Sequence, residues 1–197
     1  MFDFSTKTVL VTGGGTGIGY SIAASLLKAG AKVIITSRRE PVLKEAKQQL
    51  MVELSVDESQ IAYCRADLSN QKDIAHLFAF ISSHYKKLDI MINNSGSWDL
   101  RKIQDCDEAF IDTHMNNNLK TTILGTKLAI QLLNKGGSII NMGSFAALMP
   151  MKEASLYSCL KSSIISFTRS SASELAEKGI RVNCIIPGVI RTPMTSD

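Results

Sequence analysis

A chain of 197 residues with 45% hydrophobic content is long enough for one domain with a substantial core and too short for two comfortable ones. Its 22 basic and 18 acidic residues leave a formal charge of +4, and the bases are scattered among acids, which favours a solvated surface over a nucleic-acid arm. No apolar run approaches the roughly 18 residues of a membrane span, the N-terminus lacks the cationic start of a signal peptide, and four dispersed cysteines without a C-x-x-C pair indicate reduced thiols in a cytoplasmic protein.

Short β-branched runs alternate with longer helical patterns along residues 1–197, the signature of βαβ units feeding a parallel sheet in a single domain. The first predicted strand, TVLV (8–11), runs into TGGGTGIG, where Gly13, Gly17 and Gly19 are spaced G-x-x-x-G-x-G and a helix follows at once. Glycines let the backbone turn sharply and approach a pyrophosphate, while a helix N-terminus offers free N–H donors and a partial positive charge. A glycine-rich turn alone is also an ordinary strand-to-helix loop, but its place in the first βα unit favours a dinucleotide. Gly30 stands where that helix needs a left-handed end.

The second strand, KVIIT (32–36), leads to Ser37, Arg38 and Arg39. Ser37 occupies the position where an NAD site places an acid that bonds the ribose 2′-hydroxyl. Serine followed by arginine accepts a 2′-phosphate instead, by a charge-assisted contact, and so predicts NADP(H). The plainer reading is that Arg38 and Arg39 simply open a solvated, charged helix.

The third strand, IAYCR (61–65), is followed by Asp67 and Leu68, and the fourth, DIMIN (89–93), by NSG. A long helical pattern then holds NNNLKTTILGTKLAIQLLN, in which Asn116 to Asn118 are poor helix formers. A solvated face would account for the run; a buried amide holding a bent backbone and a water is a better use for one of them. Gly136 and Gly137 are expected to close this helix.

The fifth strand, SIINM (138–142), places Ser144 just past its C-terminal end, where doubly wound sheets bind ligands. The next helix carries YSCLK, which puts Tyr157 and Lys161 on one face at i, i+4. An ammonium beside a phenol favours phenolate and is expected to lower its pKa from about 10. Leu156, Leu160, Ile164 and Phe167 form that helix's predicted apolar face, and Gly179 its left-handed end. The sixth strand, RVNCII (181–186), enters a Pro187-Gly188 turn.

TGGGTGIG, NNSG, NNNL, Ser144, YSCLK and IIPGVIRTP, in this order, resemble the short-chain dehydrogenase/reductase family in its common Tyr-x-x-x-Lys form over essentially the whole chain. The resemblance implies a Rossmann-like, doubly wound parallel α/β sheet with six of its strands present. It gives Tyr157 the look of a general acid/base, Lys161 of the residue that lowers its pKa and bonds the nicotinamide ribose, Ser144 of the donor that orients a carbonyl, and Asn118 of the holder of a proton-relay water. By the same likeness Gly13, Thr16, Gly17, Ile18 and Gly19 would cradle the cofactor, and Asp67 with Leu68 would meet the adenine. Asn93 would belong to the segment that stabilises the central sheet and borders the cofactor, Asn94 would contact the cofactor, and Pro187, Gly188 and Thr192 would touch the nicotinamide end. Ser95 stands where the family usually has alanine, and Gly143 where a second serine is frequent.

The expected activity is NADP(H)-dependent hydride transfer between the nicotinamide and a carbonyl or secondary alcohol, in the reductive direction, on a ketoacyl or other apolar ketone. Two alternatives stay open: a dinucleotide-binding or assembly subunit without turnover, and a passive fragment that folds poorly. The resemblance also implies a homodimer or homotetramer built on the long fourth and fifth helices. It implies a substrate-covering helix, a further helix and a seventh strand after the Pro-Gly motif, so the domain is expected to be C-terminally truncated. Trp98, Met149 and Met151 lie on loops at the ligand end and would either line a substrate mouth or pack under a loop. His76, His84 and His114 have no ligand-like spacing, and no metal is predicted.

Overall fold

The computed structural model describes residues 3–195; Met1, Phe2, Ser196 and Asp197, the outermost residues of the two terminal stretches read above, lie outside the described residues. Six parallel strands form one sheet: β1 (Thr8–Thr12), β2 (Lys32–Ser37), β3 (Ile61–Arg65), β4 (Leu88–Asn93), β5 (Leu133–Met142) and β6 (Arg181–Ile185). Their order is β3-β2-β1-β4-β5-β6, so the direction of winding reverses between β1 and β4. Ligands of doubly wound sheets bind at that reversal, beyond the strands' carboxyl ends.

Helices α1 (Gly17–Lys28), α2 (Glu40–Leu54), α3 (Gln71–His84), α4 (Glu108–His114), α5 (Thr121–Leu132) and α6 (Ser155–Leu175) connect the strands. Alternate strand residues feed two separate cores. Val9, Val11, Val33 and Ile35 pack with Ala23, Leu27, Leu43 and Leu50 of α1 and α2, whereas Leu10, Ile34, Met91 and Ile139 pack with Leu77, Ile81, Leu128 and Leu132 of α3 and α5. With both faces covered, the strands need apolar residues at nearly every position, which is why they read as unbroken runs.

Gly30 and Gly179 adopt the expected left-handed conformation, with φ of +91° and +67°. Gly136 and Gly137 do not close α5, which ends at Leu132. Strand pairing already begins at Leu133 opposite Leu88, slips, and becomes regular from Ser138; Gly136, at φ +86°, turns within that stretch and its N–H donates to the Gly179 carbonyl at 2.9 Å. On α6 only Leu160 and Ile164 of the four predicted apolar residues are buried, because the packed face runs through Lys161, Thr168 and Ser171.

These polar residues have partners. Asn93 Nδ2 donates to Thr126 Oγ1 at 3.0 Å and Asn141 Oδ1 at 2.8 Å, and Asn141 Nδ2 donates to Thr168 Oγ1 at 2.9 Å. The ladder ties β4, β5, α5 and α6 together at a place where an unpaired amide would be costly.

Candidate active site

At the reversal point Thr12, 1% exposed, acts as a clasp: its hydroxyl oxygen accepts the N–H groups of Asn94 and Ser95, each at 2.9 Å. Asn94 returns the tie through Nδ2, which donates to the Thr12 carbonyl at 3.0 Å. The loop after β1 is thereby fixed against the loop after β4. Neither bond is readable from local sequence, since the partners lie 82 and 83 positions apart.

A cavity of about 880 Å³ opens over these loops, within the usual size range of ligand pockets. Gly13, Thr16, Gly17 and Ile18 line it on one side. Gly13 and Gly17 have φ of +63° and +56°, which L side chains rarely adopt. Helix α1 starts at Gly17 without a side-chain cap from Thr16, leaving its first amides available to an anion. This cradle fits a pyrophosphate. Gly19, expected to meet the cofactor, is not on the cavity wall; a β-carbon there would run into the Gly13 carbonyl and come 2.6 Å from Asn94 Nδ2. Its smallness serves the tight closure of the loop, and Asn93 likewise lies inside the sheet ladder behind the cavity.

Ser37, Arg38, Arg39, Asp67 and Leu68 line the cavity beyond β2 and β3. Asp67 Oδ1 accepts from Ser69 N at 2.8 Å and Ser69 Oγ at 2.7 Å, so its carboxylate is held in its own turn. Arg38 Nη1 donates to Asn117 Oδ1 at 3.0 Å, a partner that reading the asparagine run for a single buried amide overlooks.

That run folds as a π-helical turn, Met115–Lys120, between α4 and α5. Its carbonyls widen outward and are met by hydroxyls: Thr121 Oγ1 donates to the Asn117 carbonyl at 2.9 Å, and Thr122 Oγ1 to the Asn118 carbonyl at 2.9 Å. Asn118 is fully buried; Ser97 N–H donates to its Oδ1 at 3.3 Å, and its Nδ2 donates to the His114 carbonyl at 3.1 Å. Wide turns of this kind recur at functional sites.

Asn118, Ser144, Tyr157 and Lys161 all line the same end of the cavity, brought from the wide turn, the loop after β5 and helix α6. Lys161 is 5% exposed, its Nζ donating to the Met142 carbonyl at 3.0 Å and lying 5.6 Å from the Tyr157 ring centre. Gly96 separates it from Asn118: a β-carbon there would come 2.9 Å from Asn118 Oδ1 and 3.6 Å from Lys161 Nζ. Ser144 Oγ accepts from Ala146 N–H at 3.2 Å, which leaves its own proton to donate.

The expected lowering of the Tyr157 pKa is not a property of the polypeptide by itself. Burial pushes the phenol above its ordinary 10, and the Ser144 hydroxyl offsets this only in part. Burial acts on Lys161 as well, pulling it down from 10.5 to about 8. Both groups therefore favour their neutral forms more than they would in water.

Pro187, Gly188 and Thr192 complete the wall. The Phe145 N–H donates to the Pro187 carbonyl at 2.9 Å, and Thr192 lies 3.2 Å from where a Gly17 β-carbon would be, so the segment after β6 spans from the Ser144 loop to the phosphate loop. Trp98 lines the cavity and sets its ring edge-on to Tyr157, centres 4.6 Å apart. Met151 joins the wall while Met149 stays outside it, half exposed. Among the described residues no group of three or more His, Cys, Asp or Glu could hold a metal ion, and no helix is long and apolar enough to cross a membrane.

The family model for short chain dehydrogenases matches residues 7–197. The chain belongs to the short-chain dehydrogenase family. It is 34% identical over 188 residues to D-xylose 1-dehydrogenase of Caulobacter vibrioides, covering 94% of this chain and 73% of that one. It is 34% identical over 195 residues to 15-hydroxyprostaglandin dehydrogenase [NAD(+)] of Mus musculus, covering 95% and 69%. A short chain dehydrogenase from Burkholderia cenocepacia, solved in complex with NADP, superposes with a TM-score of 0.87 at 30% identity, covering 96% and 76%. Membership makes this an oxidoreductase fold built around a nicotinamide cofactor.

Proposed function

We propose that this chain is an NADP(H)-dependent oxidoreductase interconverting an apolar ketone and its secondary alcohol. The observation that carries the reading is the convergence of Ser144, Tyr157, Lys161 and Asn118 at one end of a cavity whose other end holds Ser37 and Arg38. When bound, the dinucleotide supplies or accepts the hydride. Gly13, Thr16, Gly17 and Ile18 would hold its pyrophosphate, Asp67 and Leu68 its adenine, Arg38 and Arg39 a 2′-phosphate, and Asn94, Pro187, Gly188 and Thr192 its nicotinamide half.

Tyr157 gives its phenolic proton to the carbonyl oxygen as that oxygen becomes alkoxide, and recovers it in the reverse direction. Ser144 donates a hydrogen bond to the same oxygen that strengthens as charge develops, which is the kind that lowers a barrier. Lys161, with two N–H groups beyond its bond to Met142, would bond the ribose of a bound dinucleotide and, charged below about 8, favours the phenolate of Tyr157. Asn118 holds a water through which the proton is replaced.

Apolar substrates are favoured by the mouth. Phe145, Met151, Val189, Ile190 and Met194 line the cavity yet are exposed, Val189 by 87%. Such a rim suits the hydroxyprostaglandin-type substrate named for one relative better than the sugar named for the other. The test is NADPH oxidation with a panel of ketones, alongside Tyr157→Phe. The variant should lose turnover by 10²-fold or more, roughly the weight of a positioned general acid, while binding NADPH nearly as tightly as the parent. Retained turnover would refute the assignment.

A further inference from the structure

Arg38 and Asn117 stand on opposite walls of the cavity, one just past β2 and the other in the wide turn, 79 positions apart, yet joined by the 3.0 Å bond from Nη1 to Oδ1. Neighbouring asparagines of the turn point to different ends of the site. Asn118 is sealed against Ser97 and the His114 carbonyl, while Asn117 faces the guanidinium. Asn117 is itself held, since its carbonyl accepts the Thr121 hydroxyl.

A free arginine on a surface samples many rotamers, and only some aim its planar fork at a given phosphate. The Asn117 amide occupies one of the five N–H donors and brings no charge, so four donors and the full positive charge remain for an anion. A carboxylate in the same place would hold the guanidinium equally well but would neutralise it. Resting on the NADP(H) reading above, we propose that Asn117 is a positioning residue for cofactor selectivity: it holds Arg38 aimed at the adenosine end of the cavity and thereby favours a dinucleotide carrying a 2′-phosphate.

The test is fluorescence titration of the whole chain with NADPH and with NADH, using Trp98, which lines the cavity and is the sole tryptophan. Asn117→Leu should weaken NADPH by roughly 3- to 10-fold, the weight of one lost hydrogen bond, and leave NADH where it was. Asn117→Asp should weaken NADPH further than Asn117→Leu does, because the bond persists and the charge is cancelled. In an Arg38→Ala background Asn117→Leu should change neither ligand. Ligand-free thermal melts check folding, and Asn117→Ser repeats the tether test if the leucine variant fails to fold. If the parent favours NADPH and Arg38→Ala removes the preference, but neither tether variant shifts the NADPH-to-NADH ratio, the role of Asn117 is overturned and the cofactor reading stands. If the parent shows no preference for NADPH, both fall together.

Discussion

Lys161 sits almost fully buried on α6 at the cavity wall with a single backbone acceptor, and its position has a measurable thermodynamic sign. Its pKa is about 8 in the folded chain against an ordinary 10.5, so the unfolded chain binds more protons between those values and stability rises with pH across that window. Below about 8 the lysine is charged in both states and the folded state bears the full burial cost; above 10.5 that cost is gone. Lys161→Met should therefore compare best with the parent near pH 7 and lose that advantage as the pH rises toward 10.5. Melting temperatures of both proteins across this range decide it, and a difference that does not change with pH would sink the claim. Burial acts in the same sense on Tyr157, whose own desolvation, only partly offset by the Ser144 hydroxyl, holds the phenol above its ordinary 10 and away from neutrality.

Helix α6 and its neighbours show how a polar seam can replace an apolar one. Thr168 takes a hydrogen bond from Asn141 and gives one to the Ile164 carbonyl at 2.7 Å, two turns beyond Lys161. Thr168→Val keeps the shape and leaves the Asn141 amide short of an acceptor, so it should cost about 1–3 kcal/mol of stability. Urea unfolding measures it, and an unchanged midpoint would mean the ladder is not needed. The seam also marks what could be read in advance. The six strands are legible because burial on both faces makes each an apolar run, and every predicted site residue except Gly19 and Asn93 reaches the cavity wall. The ladder's pairings are not legible: the resemblance marks the Asn93 segment as sheet-stabilising, but its partner Asn141 lies 48 positions away and Thr168 a further 27, and only the fold stacks them. The asparagine run signals a local cost but not the six-residue wide turn that absorbs it, nor which amide meets Arg38. Gly136 and Gly137 mislead for a simpler reason: a glycine that turns the chain into a strand looks the same, locally, as one that ends a helix.

Across the whole molecule, the apolar rim and the dinucleotide cradle lie at the same carboxyl-terminal edge of the sheet, and the rim sets an expectation for substrate preference. If the rim takes the substrate's tail, kcat/KM should rise by up to roughly fourfold per methylene along a series of 2-ketones, following about 0.8 kcal/mol per buried CH₂. Steady-state kinetics over that series checks it, and a flat profile, or faster turnover of polyhydroxylated ketones, would count against an apolar mouth. The segment after β6 joins the two regions, anchored at Pro187 to the loop that carries Ser144 and lying at Thr192 against the glycine loop. One strip of backbone thus borders both loops. A ligand seated in the glycine loop would therefore press on the same stretch of backbone that is tied to the Ser144 loop, so filling one region should be felt at the other.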